Sequence, residues 1–343
     1  MKKRIFAALL ALCLTALTGC DWSTADPEDI FGTLTDYYNV EQKKQDVKLT
    51  SFALPYLKGE TADPITCPDG AMQTLGALLY EGLFALDGSF APQPALAESY
   101  TYDAARYTYT ITLRSGVTAQ DVANSLRRAQ SSARYSGRLA EVSDIRASGG
   151  AVRITLTGDN RSFVSRLDIP IVKSGTESNT FPTGTGPYAY SGEGGAHLAQ
   201  NASWWQGKSL PLERIELTAC KDTDSVSYAF YAREVQLLFC DLTGADDSSV
   251  YGSGDYTDAA TTIMQYLCLN TRRAPFDDPA VRRAVTLGVD RASCVSAYLL
   301  GHGLAAQFPV SPASGLYPKD LETAYSQDGY ASALEAAGLN TGK

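Results

Sequence analysis

Residues 181–190, FPTGTGPYAY, place Gly184, Gly186 and Ala189 at the G-x-G-x-x-G/A spacing of a dinucleotide-binding loop. Such a loop needs a strand before its first glycine and a helix beginning at the loop, so that free N–H groups face a pyrophosphate. Pro182 precedes the pair here, and Pro187 removes an N–H where the motif needs a donor. Tyr188-Ala-Tyr190 has the pattern of a strand, and the SGEGG that follows is a turn. The phosphate reading is therefore set aside, and the glycines are assigned to a tight turn feeding Tyr188 into a sheet.

Other catalytic constellations are absent from the sequence. Its two histidines, His197 and His302, stand apart in glycine-rich surroundings with no G-x-S-x-G or H-E-x-x-H pattern. Cys67, Cys220, Cys240, Cys268 and Cys294 show no C-x-x-C spacing, and no metal site or disulfide pair follows from them. Cys220, Cys240 and Cys268 lie in strand-like apolar runs, where a free cysteine is usually a small core residue. No catalytic residue, metal ligand or cofactor is expected.

The elements that must position any site read as mixed α/β. Val47–Leu54 reads as a first strand and Asp69–Leu86 as helical, with Met72, Leu75, Leu79 and Leu83 at spacings of three and four. Tyr107–Leu113 alternates large apolar residues with threonine, a half-buried strand, and Ser99–Tyr102 pairs with it across a turn at 103–105. The tyrosine stripe could serve as a sugar or base platform, but at period two it reads first as one face of a sheet. Thr118 and Asp121 have capping-box spacing before Val122, Leu126 and Ala129. Ala151–Leu156, Leu212–Leu217 and Val235–Phe239 read as further strands, with a helix over 222–233 and an apolar run at Met264–Leu269. Asp278-Pro279 and Asp290 cap two helices, the second ending at Gly301, and Ala331–Ala337 forms another before Gly338.

The 343 residues are more than one ordinary domain takes, so at least two lobes are expected. The net charge of −9 argues against nucleic acid, which requires clustered Lys and Arg. Lys2, Lys3 and Arg4 precede a short apolar stretch, Ile5–Leu14, too short to span a bilayer. Leu17-Thr-Gly-Cys20 then resembles the lipobox of bacterial lipoproteins, which implies removal of residues 1–19 and a lipid on Cys20. An ordinary secretory signal with a chance cysteine is the alternative. A diacylglyceryl group supplies two buried chains, enough for stable anchoring. The mature chain would carry 26 basic and 38 acidic residues, and residues 20–46 read as an acidic tether.

Several stretches follow one another in order: Asp63-Pro64, Tyr80-Glu-Gly-Leu-Phe-Ala-Leu-Asp87, Pro94–Tyr100, Tyr107–Arg114 with Thr118–Leu126, Pro182–Tyr188, Asn201-Ala-Ser-Trp-Trp-Gln-Gly-Lys208, and Leu269–Val285 running on to Asp290-Arg291. Together they resemble the family 5 extracytoplasmic solute-binding proteins of ABC importers, the oligopeptide, dipeptide and nickel-binding type, and the last stretch is the clearest match.

The resemblance implies a two-lobed, type II periplasmic-binding-protein-like fold that closes on a solute. The first lobe would span 47–268, with 47–65 and 180–268 as its core and 66–179 as an extra subdomain. Residues 269–343 would begin a second lobe. Peptide-binding members hold an extended ligand largely by main-chain pairing, and a second-lobe carboxylate meets its amino terminus. Two departures stand out. Gly116-Val117-Thr118 joins strand to helix where the family has a longer loop, and the chain closes at Lys343, before most of a second lobe. The chain is therefore read as a fragment or a truncated product, expected to bind solute weakly or not at all alone.

The expected role is capture of peptides, or a related small solute, and delivery to ABC permease subunits, as a monomer anchored outside the cytoplasm. The alternative is a truncated, non-transporting surface lipoprotein acting as a partner-binding module. The edge beginning at Ser51, the ring of Tyr56, and Tyr266 and Asn270 near the expected hinge are the candidate ligand residues, each with a structural reading beside it. Trp204-Trp205 could stack on a ligand but reads first as packing at a lobe surface.

Overall fold

The computed structural model describes residues 52–67, 70–240 and 254–339. The first strand, β1 (Ala53–Leu57), carries Pro55 in its interior. A proline cannot donate to a ladder, but β1 is the edge strand of its sheet, where the missing N–H is tolerated. That is why the strand runs past Leu54, where sequence patterning ends it; residues 47–51 of the expected strand lie outside the described residues.

Helix α1 (Gly70–Leu79) buries Met72, Leu75 and Leu79 on one face. It stops well before Leu86, the end expected from apolar spacing. The Leu79 carbonyl accepts a hydrogen bond from the Gly186 N–H (2.9 Å), which displaces the next helical turn. Gly82 then passes so close to Asp168 that a Cβ would lie 2.7 Å from its carbonyl carbon. The chain continues as β2 (Phe84–Leu86), paired with β3 (Pro92–Pro94).

β4 (Ala97–Asp103) and β5 (Thr108–Leu113) form the expected hairpin, with Asp103 accepting from the Ala105 and Arg106 N–H groups at the turn. Tyr109, Ile111 and Leu113 point inward. α2 (Ala119–Gln130) starts at the Thr118–Asp121 capping box: the Asp121 N–H donates to the Thr118 hydroxyl (3.1 Å) and the Thr118 N–H to the Asp121 carboxylate (3.3 Å). β6 (Val142–Ser148) and β7 (Ala151–Leu156) complete a four-stranded antiparallel sheet ordered β4-β5-β7-β6, and α2 packs on it.

β8 (Tyr188–Ser191) and β9 (His197–Gln200) form a hairpin whose turn holds Gly194 and Gly195 at positive φ. β10 (Arg214–Cys220) pairs with β9 antiparallel and with β1 parallel, giving a sheet ordered β1-β10-β9-β8. α3 (Thr223–Tyr231) follows, with Asp222 accepting from the Ser225 N–H (2.9 Å) at its N-cap. Val235–Phe239 is not a strand. Gln236 instead clips the outer edge of β1: its side-chain oxygen accepts from the Ala53 N–H (2.7 Å) and its N–H donates to the Ala53 carbonyl (3.1 Å).

Two apolar cores result. One joins the β1-β10-β9-β8 sheet with α1 around Leu54, Met72, Leu79, Leu198 and Leu217. The other joins the second sheet with α2, from Leu83 to Ile171. The added subdomain was expected to begin at residue 66, but α1 packs in the first core, so the change of core falls between Tyr80 and Leu83. Buried Asp63, 2% exposed, crosses it by pairing with Arg128 of α2.

Beyond these cores, α4 (Pro279–Gly288) has the Asp278 cap and first-turn proline read from sequence, with the Ala280 N–H donating to Asp278 (2.7 Å). Its Val281 and Ala284 are buried, and it packs against α6 (Gln327–Ala336). The last helix starts before Ala331 because Ser326 caps it, accepting from the Gly329 N–H (2.9 Å). Between them, α5 (Arg291–Leu299) is capped by Asp290 and buries no residue; Tyr298 and Leu300 are 83% and 81% exposed. The apolar run at 264–269 is likewise outside any strand, and Cys268 is exposed there rather than in a core.

Two consequences are measurable. A Cβ on Gly184 would lie 2.0 Å from the Leu79 carbonyl oxygen, and one on Gly186 2.5 Å from that of Leu78. Backbone cannot yield as a side chain does, so Gly186→Ala should cost about 2 kcal/mol in urea unfolding. Arg128→Met should cost about 3 kcal/mol by stranding a buried carboxylate, and adding Asp63→Asn should recover part of that loss.

Candidate functional site

In an open α/β sheet, ligands bind outside the carboxyl ends of the parallel strands. β1 and β10 are such a pair, and β8 runs the same way, because two successive antiparallel steps restore the direction. Register then fixes which side chains share a face. Leu54 pairs with Leu217, Tyr56 with Ala219, Ile215 with Leu198 and Leu198 with Tyr190. Tyr56 and Tyr190 thus lie on one face, each near the carboxyl end of its strand. Phe181 sits between them: its ring centroid is 4.1 Å from that of Tyr190, with planes 3° apart, and 5.9 Å from that of Tyr56. Tyr190 is 40% exposed and Tyr56 is half-buried.

The backbone of β1 contributes less than expected. Residues 52 and 58 bond to β10, so 53, 55 and 57 point outward. The Ala53 N–H is taken by Gln236, Pro55 has none, and the Leu57 N–H donates to the Met72 sulfur (3.3 Å). No outward donor of the described strand remains for a solute's main chain. The recess beside this edge, lined by Leu54, Pro55, Thr74, Leu75 and Leu237, is a shallow apolar depression with room for little more than a water molecule.

The FPTGTGPYAY stretch holds this arrangement in place. Its glycines let the backbone press onto the last turn of α1, and the Tyr80 hydroxyl donates to the Pro182 carbonyl (3.1 Å). Burial pushes the Tyr80 phenol far above its usual range, with the nearby Asp63 charge adding to the effect.

Trp204 and Trp205 have a structural partner that sequence reasoning missed. Glu81 accepts a hydrogen bond from each indole N–H, one per carboxylate oxygen, at 3.0 and 2.7 Å. The Arg114 guanidinium lies 4.3 Å above the Trp205 ring, and its Nε donates to the Ala95 carbonyl (2.7 Å). A loop of the first core is thereby fastened to the subdomain. No local signal tied these two adjacent indoles to a carboxylate 123 positions away.

The remaining candidates lie apart. Tyr266 is 74% exposed, and Asn270 closes a turn by accepting from the Arg272 N–H (3.0 Å). No hydrogen bond or ring contact among the described residues links either to Tyr56. Cys20 and Ser51 lie outside the described residues. The His197 Nδ1–H donates to the Gly195 carbonyl (2.8 Å) in the β8–β9 turn, and His302 meets Asp258 (2.9 Å) beside the Tyr256 ring. Neither is joined to a nucleophile, and no group of three His, Cys, Asp or Glu among the described residues could hold a metal ion.

Burial of the Glu81 carboxyl raises its pKa above the usual Glu value, against the lowering effect of the two indole bonds. A raised carboxyl pKa means the folded state binds the proton more readily. Its stabilising contribution is full below the ordinary Glu range and is lost as pH rises through the folded value. Glu81→Gln should therefore show a smaller fall in Tm than the parent between about pH 4 and 7. Parallel profiles would remove Glu81 from the pH dependence.

The chain is similar to known proteins along most of its length. The profile described as bacterial extracellular solute-binding proteins, family 5 Middle, matches residues 91–343. The glutathione-binding protein GsiB of Escherichia coli K12 is 27% identical over 294 residues, 78% of this chain and 55% of that protein. The chain thus spans about half the length of the curated relatives it matches. Among solved structures, a nickel ABC transporter protein from Bacillus halodurans superposes with a TM-score of 0.61 at 24% identity, covering 84% of this chain and 63% of that one. The periplasmic binding protein DppA from Helicobacter pylori, in complex with the peptide STSA, gives 0.54 at 20% identity, covering 85% and 66%. The fold is the periplasmic-binding-protein-like α/β fold, and the chain belongs to the family 5 bacterial extracellular solute-binding proteins.

Proposed function

We propose that this chain captures a peptide or a related small solute outside the cytoplasm and delivers it to the permease of an ABC importer. The observation that carries the reading is the family match over residues 91–343. The glutathione-binding name of the Escherichia coli relative and the peptide in the Helicobacter pylori structure support peptide cargo. The nickel transporter protein keeps a non-peptide solute in view as an outcome of the test.

Capture requires no covalent chemistry. A solute closing two lobes shifts the population toward the form a permease recognises, by its greater affinity for that form. In the described residues, the carboxyl ends of β1, β10 and β8 would meet the solute, with Tyr56 as an aromatic wall. Because Gln236, Pro55 and Met72 leave β1 without an outward donor, side chains rather than this strand's main chain would make the contact. Tyr266 and Asn270 belong to the proposal as residues of the approach between lobes, and Ser51 as the start of the edge. The lipobox-like Leu17–Cys20 supports anchoring through a lipid on Cys20.

Mass spectrometry of solutes released from gently purified protein should identify a small peptide or a related solute. Calorimetry with a peptide mixture then tests direct binding, expected to be weak for these residues alone; an absence of any small solute released from or bound by the full-length protein would sink the reading. Separately, Cys20→Ser should move the protein from the membrane fraction to the soluble fraction. Retention at the membrane would refute the lipid anchor alone.

A further inference from the structure

Three rings from distant parts of the chain converge where the solute is placed. Tyr56 comes from β1, Phe181 from the loop before the Gly184–Gly186 turn, and Tyr190 from β8. Phe181 backs Tyr190 in a parallel stack, which fixes the Tyr190 ring plane, and Tyr190 remains 40% exposed. An aromatic pair with a part-exposed member whose orientation is already fixed can receive one more planar group with little further ordering. Neither the Tyr56 nor the Tyr190 hydroxyl has a hydrogen-bond partner among the described residues, so each can donate to or accept from a solute at the rim of the row.

The row also stands where the main chain is least able to bind. Strand β1 has its outward N–H groups engaged or absent, so this edge discriminates by ring contact instead of by backbone pairing. The close approach of Gly184 and Gly186 to α1 fixes the starting point of β8 and hence the height of Tyr190 on the sheet.

We infer that Tyr56, Phe181 and Tyr190 form an aromatic subsite that receives a planar or aromatic group of the solute, such as the side chain of a phenylalanine or tyrosine residue in a peptide. The inference rests on reading the chain as a solute binder and adds to it the class of group preferred at this edge.

The test is ligand-observed saturation-transfer NMR on the full chain, with Ala-Phe-Ala and Ala-Leu-Ala as probes titrated to millimolar concentration. The phenylalanine ring protons should receive the strongest saturation, and Ala-Phe-Ala should bind about fivefold more tightly, as one added aromatic contact provides. Tyr190→Leu should abolish that preference, whereas Tyr190→Phe should keep it; Tm values of both variants establish that the fold is intact. Equal affinities for the two probes, or a preference that survives Tyr190→Leu, would overturn the inference while leaving solute capture standing. Binding of other solutes with neither tripeptide bound also overturns it. If nothing binds at all, both readings fall together.

Discussion

The contact between the backbone at Gly184–Gly186 and the last turn of α1 governs much of the rest of the first core. Main chain meets main chain there, with the Gly186 N–H on the Leu79 carbonyl, and no side chain larger than hydrogen fits at either glycine. The contact ends the helix, turns the chain toward Gly82 and β2, and sets where β8 enters the sheet. A stretch with the spacing of a phosphate loop is thus used for close packing. Both uses draw on the same property, the absence of a Cβ, and Pro187 separates them by removing a donor.

Beyond that contact, the two cores are held together by polar groups at a narrow seam. Asp63 is buried against Arg128, and Arg134 reaches the carbonyls of Pro64 and Cys67 from the same side. Glu81 binds two indoles, and Arg114 covers one of them. Buried ion pairs contribute little net stability, because desolvation offsets much of the attraction. Their directional demands instead fix one orientation of the subdomain, which apolar contact alone would leave looser. The loop after β1 is among the segments so fixed, and it leads directly from the strand that carries Tyr56.

The same economy of backbone groups shapes the candidate site. A side-chain amide from Gln236, a proline and a methionine sulfur leave β1 with no outward N–H among the described residues. An edge strand is usually open to pairing with any extended chain, and closing it in this way removes that hazard. It also leaves any contact at this edge to side chains, which is the role proposed above for the rings on the adjoining face.

Local chemistry was legible in the sequence. Thr118 with Asp121, Asp222, Asp278-Pro279 and Asp290 each announced a helix start, because a cap depends on residues within four positions of one another. Alternation in Tyr107–Leu113 and Ala151–Leu156 announced half-buried strands for the same reason. The ordered motifs from Asp63 to Arg291 were enough to name the family. Ends decided by remote partners were not legible: α1 stops where Gly186 takes its carbonyl, β1 continues through Pro55 because it is an edge, and 235–239 forms no strand because Gln236 alone does the bonding. The meeting of Tyr56, Phe181 and Tyr190, like that of Glu81 with Trp204 and Trp205, spans more than a hundred residues. Sequence determined where most helices are capped and which alternating runs form strands. Tertiary structure decided which of them meet, because strand register and backbone close approach are set only when distant segments pack together.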